Sequence, residues 1–385
     1  MFIEIVPTRR QLNRYFTHKS TFRQVLKRKT QRNLSQTPLG RRFGVASGGQ
    51  SCLILCVNQN FTGEKGRAVL PPLGMGCAAL GNLYSAISDA QAFAALEAAA
   101  SHGVRMFDTA PFYGHGLSEA RLGTFLAGLD ERPVLSTKVG RSLAHGEDPG
   151  ETGFVNAAKA RPYFDYSAAA VERQAAESLD RLGVESVDML LVHDLGELTH
   201  GDQHNRHYEM AMEGAFPALA KLKQSGVTRA IGLGVNEVAI CLQVLAEIDL
   251  DVILLAGRFT LLEQGPLDDL LPLCQSRGIE VIIGGPFNSG VLAGAPHYDY
   301  GAVPPAVAER VSALASICER HEVPLPAAAL QFPLAHPAIA SVIPGARSAA
   351  EMTANIAHLA HPIPTALWAD MKGAGLIRAD APFPA

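Results

Sequence analysis

Along this chain, short and nearly unbroken apolar runs alternate with longer stretches of helical period. The runs at 73–77, 104–107, 134–137, 187–192, 228–233, 252–255, 280–283 and 340–343 read as strands buried on both faces. Between them the spacing predicts helices. Ser88 caps one from Asp89 to Ser101, and Ser167 caps another to Leu182, with Val171, Ala175, Leu179 and Leu182 on one face. Further helices are predicted over 117–126, 214–224, 237–248, 267–276 and 348–358, with one or two across 304–335. Two stretches read as loops: 140–166, rich in Gly, Pro and charge, and the His-rich run 200–207. Eight strand–helix units of this kind predict an α/β fold, a (β/α)8 TIM barrel forming one domain over residues 68–385. No strand–GxGxxG–helix unit occurs, so a doubly wound dinucleotide fold is disfavoured.

Composition narrows the class. The chain has 385 residues and 48% hydrophobic content, enough for a large core. No apolar run reaches the ~18–20 residues of a membrane helix, so a soluble, cytoplasmic protein without membrane partners is expected. Cysteines at 52, 56, 77, 241, 274 and 318 share no repeating spacing, which predicts free thiols in a reducing compartment. Charge is unevenly spread. Residues 1–67 carry 13 Lys/Arg against only Glu4 and Glu64, whereas the rest of the chain has 20 Lys/Arg against 35 Asp/Glu. The acidic body argues against nucleic acid as the main partner. The basic extension is expected to be poorly ordered, with a transit peptide or a binding arm as alternatives. Cys52 and Cys56 within it lack the partner pair a metal site needs.

Three strands deliver an ionisable side chain at the carboxyl end. Asp108 follows 104–107, with Tyr113 five residues further on; Lys138 follows 134–137 and His193 follows 187–192. In a barrel, adjacent strand ends would gather these groups at one mouth. Such a set suits proton movement on an alcohol or carbonyl oxygen. Tyrosine, with a pKa near ~10, is a poor base at neutral pH. A nearby ammonium favours the phenolate, a carboxylate holds the ammonium, and a histidine can bond the same substrate oxygen. The bland alternative is an ordinary Asp108–Lys138 ion pair with Tyr113 and His193 as packing residues. Phe112 and His115 adjoin Tyr113 as candidate pocket walls, and Trp368 is expected in packing. The His200–His207 spacings match no familiar helix-borne zinc motif, so a solvated loop over the mouth is expected there rather than a metal site.

The motifs Phe107-Asp108-Thr109-Ala110-x-x-Tyr113-Gly114, Ser136-Thr137-Lys138 and Val192-His193-Asp194 resemble, in order and spacing, those of the aldo-keto reductases. The resemblance covers about residues 68–360. It implies a nicotinamide cofactor across the carboxyl ends of the strands, with Tyr113 as general acid/base assisted by Lys138, Asp108 and His193. Segments 230–236, 254–262 and 284–290 look most like the branch of L-fucose, D-threo-aldose 1- and pyridoxal 4-dehydrogenases, whose members oxidise a cyclic hemiacetal to a lactone. A general aldehyde or ketone reductase and a non-catalytic nicotinamide-binding subunit are the alternatives. The substrate is expected to be a small molecule, and the protein a monomer or homodimer.

The same resemblance assigns the cofactor to Gly76, to the loop Pro286, Phe287, Asn288, Ser289 and Gly290, and to Pro344, Gly345, Ala346 and Arg347 followed by Glu351 and Asn355. Small residues and free amides suit a pyrophosphate, and a helix N-terminus can face the adenosine phosphate. The chain departs from NADPH-dependent relatives in having Gly345-Ala346 for Lys-Ser and Glu351 for Arg. A carboxylate there would repel a 2′-phosphate, which favours NAD; Arg347 leaves NADP possible. Asn236 is the candidate for the nicotinamide amide, one residue out of step with the family, and Ala256 stands where the family has Gln.

Overall fold

The computed structural model describes residues 70–384, so the basic extension 1–67 with Cys52 and Cys56 lies outside the described residues. In chain order the strands are β1 (Met75–Gly76), β2 (Met106–Asp108), β3 (Val134–Val139), β4 (Arg141–His145), β5 (Ala160–Phe164) and β6 (Val187–His193). They continue with β7 (Thr228–Val235), β8 (Val252–Ala256), β9 (Glu280–Gly284), β10 (His297–Tyr298), β11 (Gly301–Ala302) and β12 (Ile339–Ile343). Eight of them form one parallel sheet in the order β1-β2-β3-β6-β7-β8-β9-β12. Parallel bridges from Leu73 to Val342 and from Gly76 to Gly345 join its ends, so the sheet closes on itself. The fold is a (β/α)8 barrel.

Register explains the placement of the site. Side chains two apart on a strand share a face. Met106, Val134, Met189, Leu191, Ala230, Val252, Leu254, Ile282 and Ile343 pack together inside the barrel. The intervening residues, such as Phe107, Leu135, Leu190 and Leu233, pack outward against the helices. Asp108, Lys138 and His193 follow the interior residues at even spacing on β2, β3 and β6, so they form the top layer of the barrel's interior. Gly234 on β7 leaves the room this layer needs: a Cβ there would lie 3.1 Å from Lys138 Cε.

Helix capping follows the expected pattern at several ends. Ser88 accepts from the Gln91 amide in a capping box before Asp89–Ser101, and Ser167 accepts from the Ala170 amide before Ala168–Leu182.

Two loop expectations are corrected. Residues 140–166 contain the antiparallel hairpin β4–β5, paired from Arg141–Phe164 through His145–Ala160. The His-rich run is helical: Glu197–His200 and His204–Met210 lead through a π-helical turn, Ala211–Ala215, into Phe216–Gln224. Gly214 in that turn packs directly on the chain, because a Cβ there would sit 2.7 Å from the Tyr166 carbonyl oxygen. Trp368 is fully buried against Phe332 and Phe383. No helix among the described residues is long and apolar enough to cross a membrane.

Candidate active site

The interior layer opens into a cavity of about 460 Å3 lined by Tyr113, Lys138, His193 and Asn236, among others. Lys138 lines it, and Asp108 is the buried partner of that lysine. Lys138 Nζ donates to Asp108 Oδ2 at 2.7 Å and to the Thr109 carbonyl at 2.9 Å, and both side chains are almost fully buried. The same ammonium lies 4.7 Å from the centre of the Tyr113 ring. The His193 ring stands edge-on to that ring at 5.9 Å between centroids. The structure therefore brings together all four residues singled out in the sequence.

Tyr113 reaches this position through a backbone crossing. Gly81 and Gly114 touch directly, and a Cβ on Gly81 would lie 2.5 Å from the Tyr113 carbonyl carbon. Gly114 itself has φ of 64°, a conformation that favours glycine. Arg121 holds the segment on the other side of the crossing. It donates to the Leu80 and Ile87 carbonyls and to Asn82 Oδ1, which places Leu83 and Tyr84 in the cavity wall.

Protonation follows from burial. Desolvation first, then the carboxylates of Asp108 and Asp194, hold the Tyr113 phenol well above its ordinary value, so it is protonated. This reverses the expected lowering by the ammonium: Lys138 is spent on Asp108 and Thr109, and the carboxylate offsets its field. Burial raises the Asp108 carboxyl while Lys138 pulls it down. Burial, then the positive charges of Arg141 and Lys138, holds His193 well below the ordinary histidine range, so the imidazole is neutral. A neutral imidazole and a phenol can both donate to one oxygen placed between them.

Two residues of this wall carried no expected role. Arg141, at the start of β4, pairs with Asp194 through Nη2–Oδ2 at 2.7 Å, and Asp194 Oδ2 lies 3.3 Å from His193 Nε2. A Gly-Arg step directly after a lysine-bearing strand was the available signal for Arg141, and Asp194 stood within the quoted motif. Phe112 lies beneath the Arg141 guanidinium at 3.9 Å. His115 instead ties down the segment before β5, with Nε2 3.1 Å from Thr152 Oγ1 and Nδ1 3.3 Å from the Ala158 carbonyl. His200 and His207 stack at 4.1 Å behind Tyr166 and line no part of the cavity. Among the described residues no group of three or more His, Cys, Asp or Glu could hold a metal ion.

The cofactor candidates occupy the opposite arc, at the exits of β7, β9, β12 and β1. The residues fit a dinucleotide in two respects. Asn236 Oδ1 and Asn288 Oδ1 are buried without a hydrogen-bond partner among the described residues. The turn after β9 holds Gly285, Asn288, Ser289 and Gly290 at positive φ, and its internal hydrogen bonds use the Asn288 and Gly290 amides but not those of Phe287 and Ser289. Gly76 lies against the last strand, where a Cβ would be 2.9 Å from the Ile343 carbonyl oxygen. Beyond β12, Pro344 and Ala346 are buried, and Asn355 Nδ2 donates to the Gly345 carbonyl at 3.2 Å. Glu351 accepts from the Arg347 amide at 2.8 Å and from its guanidinium at 2.9 Å, so the two charges compensate each other.

Comparison with known proteins bears on the fold and the family. The chain is 42% identical over 321 residues to pyridoxal 4-dehydrogenase of Microbacterium luteolum, spanning 79% of this chain and 94% of that protein. It is 39% identical over 323 residues to D-threo-aldose 1-dehydrogenase of a Pseudomonas species, spanning 80% of this chain and 95% of that protein. The holo form of the aldo-keto reductase AKR11C1 from Bacillus halodurans superposes with a TM-score of 0.64 at 25% identity, covering 81% of this chain and 94% of that one. The model of the Aldo/keto reductase family matches residues 72–375. With barrel, cavity and motifs in agreement over that span, the chain belongs to the aldo/keto reductase family and is a nicotinamide-dependent oxidoreductase.

Proposed function

We propose that the protein oxidises the anomeric hydroxyl of an aldose, in its cyclic hemiacetal form, to a lactone with NAD as oxidant. The observation that carries this reading is the pairing of a phenol and a neutral imidazole over a buried Lys138–Asp108 pair, in a cavity lined by both polar and apolar side chains. The 39% identity to a D-threo-aldose 1-dehydrogenase supports the substrate class. Bound at the opposite arc, a nicotinamide supplies the hydride acceptor and, when oxidised, a positive charge that favours the phenolate. The chain's own residues handle the proton. Tyr113, a phenol in the empty site, must first release its own proton; as phenolate it takes the anomeric hydroxyl proton in oxidation, and as phenol it gives that proton to the carbonyl oxygen in reduction. His193, neutral, donates to the same oxygen and orients it. Lys138, held by Asp108 and Thr109, keeps a positive charge against the Tyr113 ring.

The preference for NAD rests on Glu351. Its carboxylate occupies the guanidinium that a 2′-phosphate would need, so that among the described residues the Arg347 charge at this rim is already paired. Pyridoxal in its internal hemiacetal form is the second reading, favoured by the 42% identity to a pyridoxal 4-dehydrogenase. We also infer a cytoplasmic location, in keeping with Cys77, Cys241, Cys274 and Cys318 as free, buried thiols. Purified protein with NAD or NADP and a panel of L-fucose, D-arabinose, L-galactose and pyridoxal tests the proposal by absorbance of the reduced nicotinamide. Turnover of a sugar with NAD is expected. Reduced nicotinamide from pyridoxal alone selects the second reading, and none from any member of the panel refutes both.

A further inference from the structure

The cavity wall holds an ion pair that the proton chemistry leaves unused. Arg141 and Asp194 both line the cavity, and their side chains are only 15% and 20% exposed. Desolvating such a pair is costly, and fold stability alone rarely repays it. Each partner is also held in place. Asp194 adopts φ of 48°, with its amide donating to the Gly234 carbonyl. The Tyr166 hydroxyl lies 2.8 Å from the His193 carbonyl oxygen and 3.0 Å from that of Asp194, bracing this turn from outside the barrel. The Arg141 guanidinium sits 3.9 Å from the Phe112 ring centre and 4.8 Å from that of Phe164. Its Nε is buried with no hydrogen-bond partner among the described residues. Backbone strain next to a cavity, together with an unanswered donor, is the pattern of a site arranged for a ligand.

The location says which part of the ligand. Asp194 Oδ2 lies 3.3 Å from His193 Nε2, one hydrogen-bond length beyond the imidazole that holds the reacting oxygen. With the reacting oxygen held by His193, the pair is within reach of a substituent on the neighbouring carbon. We propose that Arg141 and Asp194 form a specificity-determining subsite for the hydroxyl adjacent to the reacting carbon, the 2-hydroxyl of a cyclic aldose. The carboxylate accepts a hydrogen bond from that hydroxyl, and the guanidinium donates one to its oxygen. A hydroxyl is donor and acceptor at once, so it matches a paired anion and cation in a way that a methylene does not. This subsite rests on the anomeric-oxidation reading given above and adds to it the feature of the sugar that is recognised.

The test compares kcat/KM for the best sugar of the panel and for its 2-deoxy counterpart, in the wild type, Asp194→Asn and Arg141→Lys. Asparagine tolerates the left-handed backbone at position 194, so that variant keeps the turn; thermal melting and NAD titration check that each variant is folded. The wild type is expected to prefer the hydroxylated sugar by about ten- to a hundredfold, the span of one charge-assisted hydrogen bond. In Asp194→Asn the ratio falls to within about threefold: any change passed on through His193 and Tyr113 is common to both sugars and cancels in the ratio, and the additional loss falls on the hydroxylated sugar. Arg141→Lys, which keeps the charge but not the fork, retains part of the preference and carries the test if Asp194→Asn does not fold. A wild type indifferent to the 2-hydroxyl, or variants that lose the same factor on both sugars, overturns the subsite while leaving anomeric oxidation standing. A wild type that forms reduced nicotinamide from no sugar removes anomeric oxidation itself, and the subsite with it.

Discussion

Replacing Lys138 with methionine keeps most of the side-chain stem and removes the ammonium under Tyr113. The Asp108 carboxylate would then remain in a site where its side chain is only 3% exposed and its partner at 2.7 Å is gone. Removing one member of a buried pair while the other stays charged costs about 3–5 kcal/mol. At ~2.1 cal/mol/K of unfolding entropy per residue, a barrel of this size loses roughly 1.5 °C per kcal/mol, so the fall in Tm is about 5–8 °C. The size of the fall depends on pH, and the sign can be worked out. Burial already raises the Asp108 carboxyl above its ordinary value, although Lys138 pulls it down. Without Lys138 it rises further. The folded variant then binds a proton that the unfolded chain releases above ~3.9, so the variant loses stability as pH rises through that window. Thermal melting of wild type and variant at about pH 5.5 and about pH 8 should give the larger difference at the higher pH. Asp108→Asn in the Lys138→Met background should recover much of the loss at the higher pH and remove the dependence. Equal differences at both pH values, with no recovery in the double variant, would refute the buried-charge argument.

Three further outcomes follow from the geometry. Gly81→Ala places a Cβ 2.5 Å from the Tyr113 carbonyl carbon; displacing the phenol should lower kcat by about tenfold or more with NAD binding kept, as steady-state kinetics and nucleotide titration would show. Glu351→Gln frees the Arg347 guanidinium; the NADP-to-NAD ratio of kcat/KM should rise by a few-fold to about tenfold, and an unchanged ratio would count against the rim as the discriminating feature. His200, held down to about 4 by burial and then by the neighbouring charge of His207, is neutral in the fold. The unfolded chain takes up a proton below ~6.5 that the fold refuses, so stability falls as pH drops from there, and His200→Gln should make the Tm–pH slope shallower.

Much of this architecture could be read from the residues, because the decisive signals are local. Asp108, Lys138 and His193 each end an apolar run, and period-two alternation sets their direction once the sheet closes. The hairpin β4–β5 was not legible. Its strands are separated by residues 146–159, rich in Gly, Pro and charge, and Pro162 sits inside β5; non-local pairing overrides those loop signals. The helical stretch after Leu195 was hidden by its His, Asn and Gly content. It folds because Tyr166 and Phe164 give His200 and His207 an aromatic surface to pack on, which no local propensity encodes. Asp194 lay in plain view within a motif, but its aim into the cavity depends on a left-handed φ held by Gly234 and Tyr166. The direction of the Tyr113 shift was missed for a related reason: the ammonium that would lower it is shared with a carboxylate and a carbonyl.

The account turns on one hydroxyl. Tyr113→Phe deletes the phenol oxygen and leaves the ring against Lys138 and His193, so it isolates proton transfer from placement. NAD titration should give a Kd unchanged within about twofold, while kcat for the best substrate of the panel falls by about 10²–10⁴, the share general acid–base catalysis contributes. A variant that binds NAD and turns over at near the wild-type rate would contradict the assignment of Tyr113 as the proton relay.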